Sequence, residues 1–139
     1  MQVLVDTSVW SLALRKVDAH LQHPYLMELH ELIQESRACL IGPIRQELLS
    51  GIKLSTQFEL LRERLRAFPD IMIVTEHYEL AAKIFNMCRN KGIQGSNTDF
   101  LICAVGIKNI LPIMTLDNDF LHFSKHCDIQ FYHPRKAIK

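Results

Sequence analysis

Five acidic side chains stand where the surrounding pattern calls for apolar or neutral ones. Asp6 directly follows the apolar run Val3-Leu4-Val5. Glu47 lies three residues after Ile44 and one before Leu48, on or beside the inner face of a helix. Asp99 opens a segment, Asp99 to Lys108, that is apolar on nearly every side. Asp117 directly follows Ile113-Met114-Thr115-Leu116, and Asp119 comes two residues later. Each alone has a structural explanation: an Asp after a strand caps the next helix, and an Asp in a first turn complements the helix dipole. As a set they raise a different question. Two like charges at ~4 Å repel by about 4 kcal/mol at an effective dielectric of about 20. Carboxylates that converge must therefore take up protons or bind a cation. An all-oxygen set without Cys or His selects a hard cation, Mg2+ or Mn2+. A cation held by few protein ligands keeps open positions, where it can hold a phosphate and activate a water.

The elements that would position these acids alternate along the chain. Val3–Val5 reads as a buried strand, followed by the capping run Asp6-Thr7-Ser8 and a helix through Val9, Trp10, Leu12 and Leu14. Leu21 to Ser36 has helical period, with Pro24 suited to its first turn, and Ala38 to Ile41 is a second short strand. Pro43 opens a helix that Gly51 stops. Ser55 is expected to cap the next helix, Phe58 to Phe68, with Leu60, Leu61 and Leu65 inward. Ile71 to Val74 is expected to be a strand, and Thr75 to cap a helix that Gly92 ends. Asn97 or Thr98 is expected to cap the apolar helix Asp99 to Lys108. Pro112 to Leu116 reads as a strand, Asp117 to Ser124 as a short helix, Ile129 to Tyr132 as a last strand, and Arg135 to Lys139 as a loose basic tail. Alternation of this kind predicts one α/β domain over residues 1–139: a three-layer α/β/α sandwich with a mostly parallel central sheet. Ligands of such sheets sit beyond the carboxyl ends of the strands, where Asp6 and Asp117 fall.

The composition suits that reading. The chain has 139 residues, 48% apolar and 22% charged, which is ordinary for a globular domain and excludes disordered and low-complexity classes. A net charge of +1 argues against a polybasic nucleic-acid coat or an acidic tail, though not against a local patch. The four cysteines, Cys39, Cys88, Cys103 and Cys127, form no C-x-x-C pair and sit among apolar residues, as reduced core thiols do. The start carries no basic n-region or long apolar stretch. The longest apolar run, Phe100 to Leu116, is interrupted by Lys108, Asn109 and Pro112. No signal peptide or membrane span is therefore expected, and the cytoplasm is the expected location.

Four segments carry a resemblance. Val3-Leu4-Val5-Asp6-Thr7-Ser8-Val9-Trp10, Pro43-Ile44-Arg45-Gln46-Glu47-Leu48-Leu49-Ser50-Gly51, Asn97-Thr98-Asp99-Phe100-Leu101-Ile102-Cys103-Ala104 and Met114-Thr115-Leu116-Asp117-Asn118-Asp119-Phe120 resemble, in order and separation, the acidic segments of PIN-domain ribonucleases. More narrowly they are similar to VapC-type toxins of bacterial toxin–antitoxin pairs. The resemblance spans essentially the whole chain. It implies a PIN-like parallel-sheet fold, a divalent metal, endonucleolytic cutting of RNA, a homodimer, and inhibition by a cognate VapB-like antitoxin. Matched by position, Asp6, Glu47, Asp99 and Asp117 form the acidic quartet, with Asp6, Asp99 and Asp117 as metal ligands. Asp119 is an additional candidate, and Thr7 and Thr115 are supporting hydroxyls. The polar lead-in Gly95-Ser96-Asn97-Thr98 departs from relatives that have an apolar residue there.

RNA must approach an acidic site, so Arg15, Lys16, Arg45, Lys53, Arg89 and Lys91 are candidates for phosphate contact beside their plainer role as solvated charge. Trp10 is expected in the core or against a partner rather than stacked on a base. His122, His126 and Cys127 have ligand-like spacing without a second Cys pair and read as surface residues. The charge-rich face Glu59, Arg62, Glu63, Arg64 and Arg66 reads as solvated; the apolar side of that helix and the Ile44 to Ile52 helix would, by the resemblance, form the antitoxin groove. Three other readings stay open. One is a housekeeping PIN-type RNA-processing nuclease. Another is a non-catalytic RNA- or protein-binding module of the same fold, which the presence of all four acids counts against. The third is an aspartyl phosphohydrolase, whose second Asp is replaced by Ser8.

Overall fold

Val3, Leu4 and Val5 point alternately to the two faces of a strand, and all three are fully buried. A strand with no wet face needs helices above and below it, and that requirement sets the architecture. The computed structural model describes residues 1–14 and 23–135 and is a three-layer α/β/α sandwich around a parallel sheet. In chain order the elements are β1 (Val3–Val5), α1 (Thr7–Leu14), α2 (Pro24–Gln34), β2 (Ala38–Cys39), α3 (Gly42–Leu49), α4 (Ser55–Leu65), α5 (Thr75–Asn90), α6 (Asn97–Lys108), β3 (Ile113–Met114) and α7 (Asp119–Phe123). The sheet order is β2-β1-β3, all parallel, with Leu4 opposite both Cys39 and Ile113. β1 is therefore central, and the residue that leaves its carboxyl end, Asp6, emerges in the middle of the molecule.

The outer strands are shorter than the sequence predicts. Ile71 to Val74 forms no strand: Asp70 makes one parallel bridge to Leu40, Ile71 N donates to Leu40 O at 3.0 Å, and the chain then leaves the sheet. Ile129 to Tyr132 is likewise reduced to a bridge between Phe131 and Ile113, in which Ile113 N donates to Gln130 O and Ile113 O accepts Tyr132 N–H, both at 2.8 Å. Both segments lie at sheet edges, where one neighbour supplies the ladder and nothing on the far side extends it.

Helix α6 meets the expectation of a central helix: Phe100 to Gly106 are all buried. Gly51 and Gly92 follow helix ends with positive φ, +87° and +74°, which a β-carbon would disfavour. The caps differ from expectation. Ser55 and Thr75 are first helical residues behind Leu54 and Val74, and at α5 the His77 side chain reaches back so that its Nδ1 accepts the Val74 N–H at 3.0 Å. Ser96, not Asn97 or Thr98, caps α6. The helix expected from Asp117 starts at Asp119. Leu60 faces outward, 54% exposed, because Leu61 and Leu65 form the inward i,i+4 seam of α4 and Leu60 lies about 100° from it.

Trp10 is a core residue: its Nε1 donates to Val5 O at 3.0 Å, and Phe68 meets it edge-on with centroids 5.0 Å apart. Of the basic tail, Arg135 is described and is held in place; residues 136–139 lie outside the described residues. Arg135 Nε bonds Glu28 Oε2 at 2.7 Å and its Nη2 bonds Glu35 Oε2 at 2.9 Å, while Tyr132 Oη donates to the same buried Glu28 oxygen. The four cysteines are free thiols, three of them buried. Among the described residues no helix is long and apolar enough to cross a membrane.

Candidate active site

The carboxyl ends of β1 and β3, one face of α3 and the first turn of α6 border one cleft of about 620 Å3. Asp6, Glu47, Asp99 and Asp117 all line it, with Thr7, Ser8, Gln46, Ser50 and Thr98 between them. Four acids spread over 112 positions of sequence are thus brought to one surface by the strand order.

Each acid is held by local chemistry. Asp6 is 4% exposed, and its Oδ2 accepts the Ser8 hydroxyl at 2.7 Å and the Thr115 hydroxyl at 2.8 Å. Both hydroxyls in turn accept backbone N–H groups of the segment entering the site, Leu116 N on Ser8 Oγ at 2.9 Å and Asp117 N on Thr115 Oγ1 at 3.0 Å. Two hydroxyls therefore tie the first acid to the fourth. Thr7 Oγ1 donates to Glu47 Oε1 at 2.7 Å, bridging α1 and α3. Asp99 and Ser96 form a reciprocal capping box, Asp99 N to Ser96 Oγ and Ser96 N to Asp99 Oδ2, both at 3.1 Å. Asp117 Oδ1 accepts Asp119 N at 2.9 Å and so starts α7. Among the described residues, every one of the four acids has hydrogen bonds on only one of its two carboxylate oxygens.

The electrostatics register the convergence. Burial pushes the Asp99 carboxyl above the ordinary Asp range; the two hydrogen bonds with Ser96 pull it back, and the charges of Asp6 and Asp117 push it further up. The donor set is all oxygen, as a hard cation requires. Among the described residues no three His, Cys, Asp or Glu side chains close into a ligand cluster. The set fits a cation bound through one or two carboxylates and waters, the habit of Mg2+, rather than a dedicated cage.

Other expected residues fall differently. Asp119 lies outside the cleft, and Thr115 supports Asp6 from behind it. Arg45 is engaged within the fold on all three of its nitrogens. Its Nε bonds Asp70 Oδ1 and its Nη1 bonds Leu65 O, both at 2.9 Å, and its Nη2 bonds Phe68 O, so its donors pin the chain after α4. Arg15 and Lys16 lie outside the described residues. Arg89 stacks over the Phe85 ring. Among the described residues no histidine lines the cleft, so Ser8 and Ser50 have no imidazole base there. Ser8 is the residue that sequence reasoning passed over as a site residue. Its signal was the run Asp6-Thr7-Ser8, in which two hydroxyls follow the first acid, one reaching Glu47 and one folding back on Asp6.

The same architecture recurs in solved structures. FitAcB from Neisseria gonorrhoeae superposes with a TM-score of 0.75 at 20% identity, covering 98% of this chain and 100% of that one. VapBC2 from Rickettsia felis, bound to a DNA fragment from its promoter, gives 0.73 at 18% identity over 95% and 98%. VapBC-1 from nontypeable Haemophilus influenzae gives 0.72 at 13% identity over 98% and 100%. No curated protein sequence matches significantly. The PIN domain model matches residues 3–126, a span that holds all four acids and every strand of the sheet, and the chain belongs to the PIN domain family.

Proposed function

We propose that this protein is a Mg2+- or Mn2+-dependent endoribonuclease acting as the toxin of a toxin–antitoxin pair. The observation that carries the reading is the set of four half-engaged carboxylates on one cleft, each with an oxygen turned over to the fold and an oxygen left for a ligand. Asp6, Asp99 and Asp117 would hold the cation, one or two of them directly and the rest through its waters, and Glu47, fixed by Thr7, would orient the attacking water. The cation, when bound, supplies a water of lowered pKa and offsets charge growing on the phosphate. The hydroxyls of Ser8 and Thr115 keep Asp6 from turning away, and the capping box keeps Asp99 at the cleft. No side chain becomes a covalent nucleophile. The membership in the PIN domain family and the likeness to FitAcB and VapBC structures support the reading.

The antitoxin would dock on the neighbouring face. A groove of about 470 Å3 runs between α1, α3 and α4, lined by Leu14, Leu48, Ile52, Leu60 and Leu61 with Arg64 at its rim. The outward Leu60 then has a purpose: it is part of an apolar seat for a partner segment.

The test is hydrolysis of mixed single-stranded RNA by the purified chain in Mg2+, in Mn2+ and in EDTA. Cutting is expected with either metal and absent in EDTA, and Asp6→Asn is expected to abolish it with the fold retained. Cutting that persists in excess EDTA removes the metal from the mechanism. Growth arrest on expression, relieved by co-expressing the neighbouring small antitoxin gene, tests the toxin role; no arrest favours the housekeeping nuclease.

A further inference from the structure

Three of the four thiols gather around α6. Cys103 lies in the middle of that helix and is fully buried. Cys127 follows α7, and its N–H and its Sγ both bond Phe123 O, at 3.1 and 3.3 Å. The Phe123 ring packs on Phe100, centroids 4.8 Å apart, and Phe100 stands one turn before Cys103 on the same side of α6. This packing seats Cys127 against the core, where the Cys103 thiol hydrogen-bonds to its sulfur. Cys88, in the last turn of α5, is the third thiol close enough for charge on the pair to act on it. Cys39 lies apart on β2, its Sγ donating to Val3 O at 3.2 Å.

The thiols differ in kind. Cys127 is half-buried, whereas the other three are buried. By donating to its sulfur, Cys103 holds the Cys127 thiol below the ordinary range; burial opposes this, the Ile129 N–H assists it, and the charge of Asp128 opposes it. The same bond, together with burial, pushes Cys103 up. Burial raises Cys88 and takes Cys39 up to about 11. One sulfur is therefore within reach of a small solute and disposed to lose its proton, and a second sulfur that keeps its proton touches it. Those are the parts of an attacking thiol and a resolving one.

We propose that Cys127 is a peroxide-reactive thiol which Cys103 resolves, forming an intrachain disulfide that ties α6 to the chain after α7. The Cys127 thiolate attacks one oxygen of hydrogen peroxide. The O–O bond breaks, the sulfur is oxidised to a sulfenic acid, and the other oxygen leaves with a proton as water. Cys103 Sγ then attacks Cys127 Sγ, the S–O bond breaks, and the departing hydroxide takes the Cys103 proton. Two thiols and one peroxide give one disulfide and two waters, and a dithiol reductant reverses the change. Asp99 precedes Cys103 by one turn, and Asp117 opens the segment that leads into α7, so the bond joins the carriers of two cleft acids. The thiol chemistry stands whether or not the chain cuts RNA.

The test is treatment of the folded full chain with hydrogen peroxide, followed by thiol counting after denaturation, tryptic mass mapping and a non-reducing gel. Free thiols should fall from four to two per chain, and the peptides 92–108 and 126–135 should be recovered joined, separating on reduction. Cys127→Ser should keep its remaining thiols. Cys103→Ala should form no disulfide and should instead accumulate a sulfenic acid at Cys127 that dimedone traps. Cys88→Ala should oxidise as wild type does. In the unoxidised wild type, iodoacetamide should label Cys127 about 10-fold faster than any other cysteine, as its thiolate character and exposure require. Should Cys103→Ala fail to fold, Cys127→Ser at its half-buried position and the wild-type peptide map still decide. Retention of all four thiols, a disulfide joining the peptides 84–89 and 126–135 through Cys88, a bond between two chains, or loss of thiols in Cys127→Ser overturns the proposal.

Discussion

Replacing Ser8 with Ala should weaken the whole protein far more than the loss of one surface hydroxyl would. The Ser8 hydroxyl donates to Asp6 Oδ2 at 2.7 Å, and the carboxylate it serves is 4% exposed. Hydrogen bonds to charged groups contribute about 1.5–3 kcal/mol each. The substitution also strips Leu116 N of its acceptor, but Leu116 is exposed and water can replace that bond at small cost. The expected loss is therefore about 1.5–3 kcal/mol. For a chain of this length that lowers the melting temperature by roughly 5–12 °C. Thr115→Val removes the other donor to the same oxygen and should cost a similar amount. Because the two hydroxyls share one acceptor, the double variant should depart from additivity by at least about 0.5 kcal/mol. Thermal and urea unfolding in EDTA measure this without interference from a bound ion. The decisive arm is Asp6→Ala: in that background Ser8→Ala has no carboxylate to abandon, and most of its cost should vanish. If Ser8→Ala costs less than about 0.3 kcal/mol, or costs as much without Asp6 as with it, the hydroxyl does not anchor the first acid.

Three further outcomes follow from the same geometry. Asp99 has a folded pKa raised above its unfolded value, so its contribution to stability is greatest at pH below the unfolded value and is lost as pH rises through the folded one. In EDTA, wild type minus Asp99→Asn should show that falling slope just above the ordinary Asp range, and the variant should be the more stable at pH 7; a difference that is flat with pH refutes it. Arg45→Ala should cost about 2–4 kcal/mol by freeing Asp70 and two carbonyls, Arg45→Lys should not restore it, and RNA affinity should be unchanged in both. A loss of RNA binding in a folded Arg45 variant would return it to phosphate contact. Leu60→Glu should leave RNA cutting and melting temperature intact and abolish inhibition by the co-expressed antitoxin; retained inhibition would move the partner's seat off the α1–α3–α4 groove.

The fold was readable wherever burial dictates residue type along a continuous stretch. Val3–Val5 and Phe100–Gly106 are buried on every side and contain no residue that would be at ease in water, so their place at the centre follows from composition alone. The edges of the sheet were not readable to the same degree. Ile71 to Val74 is β-branched and apolar enough for a strand, but strand formation is decided by a neighbour, and beyond the Leu40 bridge there is none. Cap identity failed for a related reason: Val74 has no capping side chain, and the bond that marks the start of α5 runs the other way, from Val74 N to the ring of a histidine three residues on. Among the acids, convergence was legible because Asp6 and Asp117 follow adjacent parallel strands. What no pattern announced was the commitment of Arg45, whose partners Leu65 and Phe68 lend it backbone carbonyls, groups that every residue carries and that no sequence signal marks.

Each acid of the cleft invites two explanations, one from folding and one from chemistry, and the geometry makes them parts of a single device. Asp99 has a folding role by every local criterion: it completes the capping box of Ser96, the cap of α6, at 3.1 Å in both directions. Asp117 starts α7, Glu47 is tied to α1, and Asp6 organises the β3–α7 turn through Ser8 and Thr115. A carboxylate has two oxygens, and in all four cases the fold engages one. The engaged oxygen fixes the group in space at no cost to the other, which is how a charge can be buried, oriented and still available. A Lys-paired or fully hydrogen-bonded acid would be more stable and inert. It follows that substitutions which preserve the anchoring bond while neutralising charge, such as Asp99→Asn, should gain stability and lose chemistry. Substitutions that remove the anchor while keeping the charge, such as Ser8→Ala, should lose both.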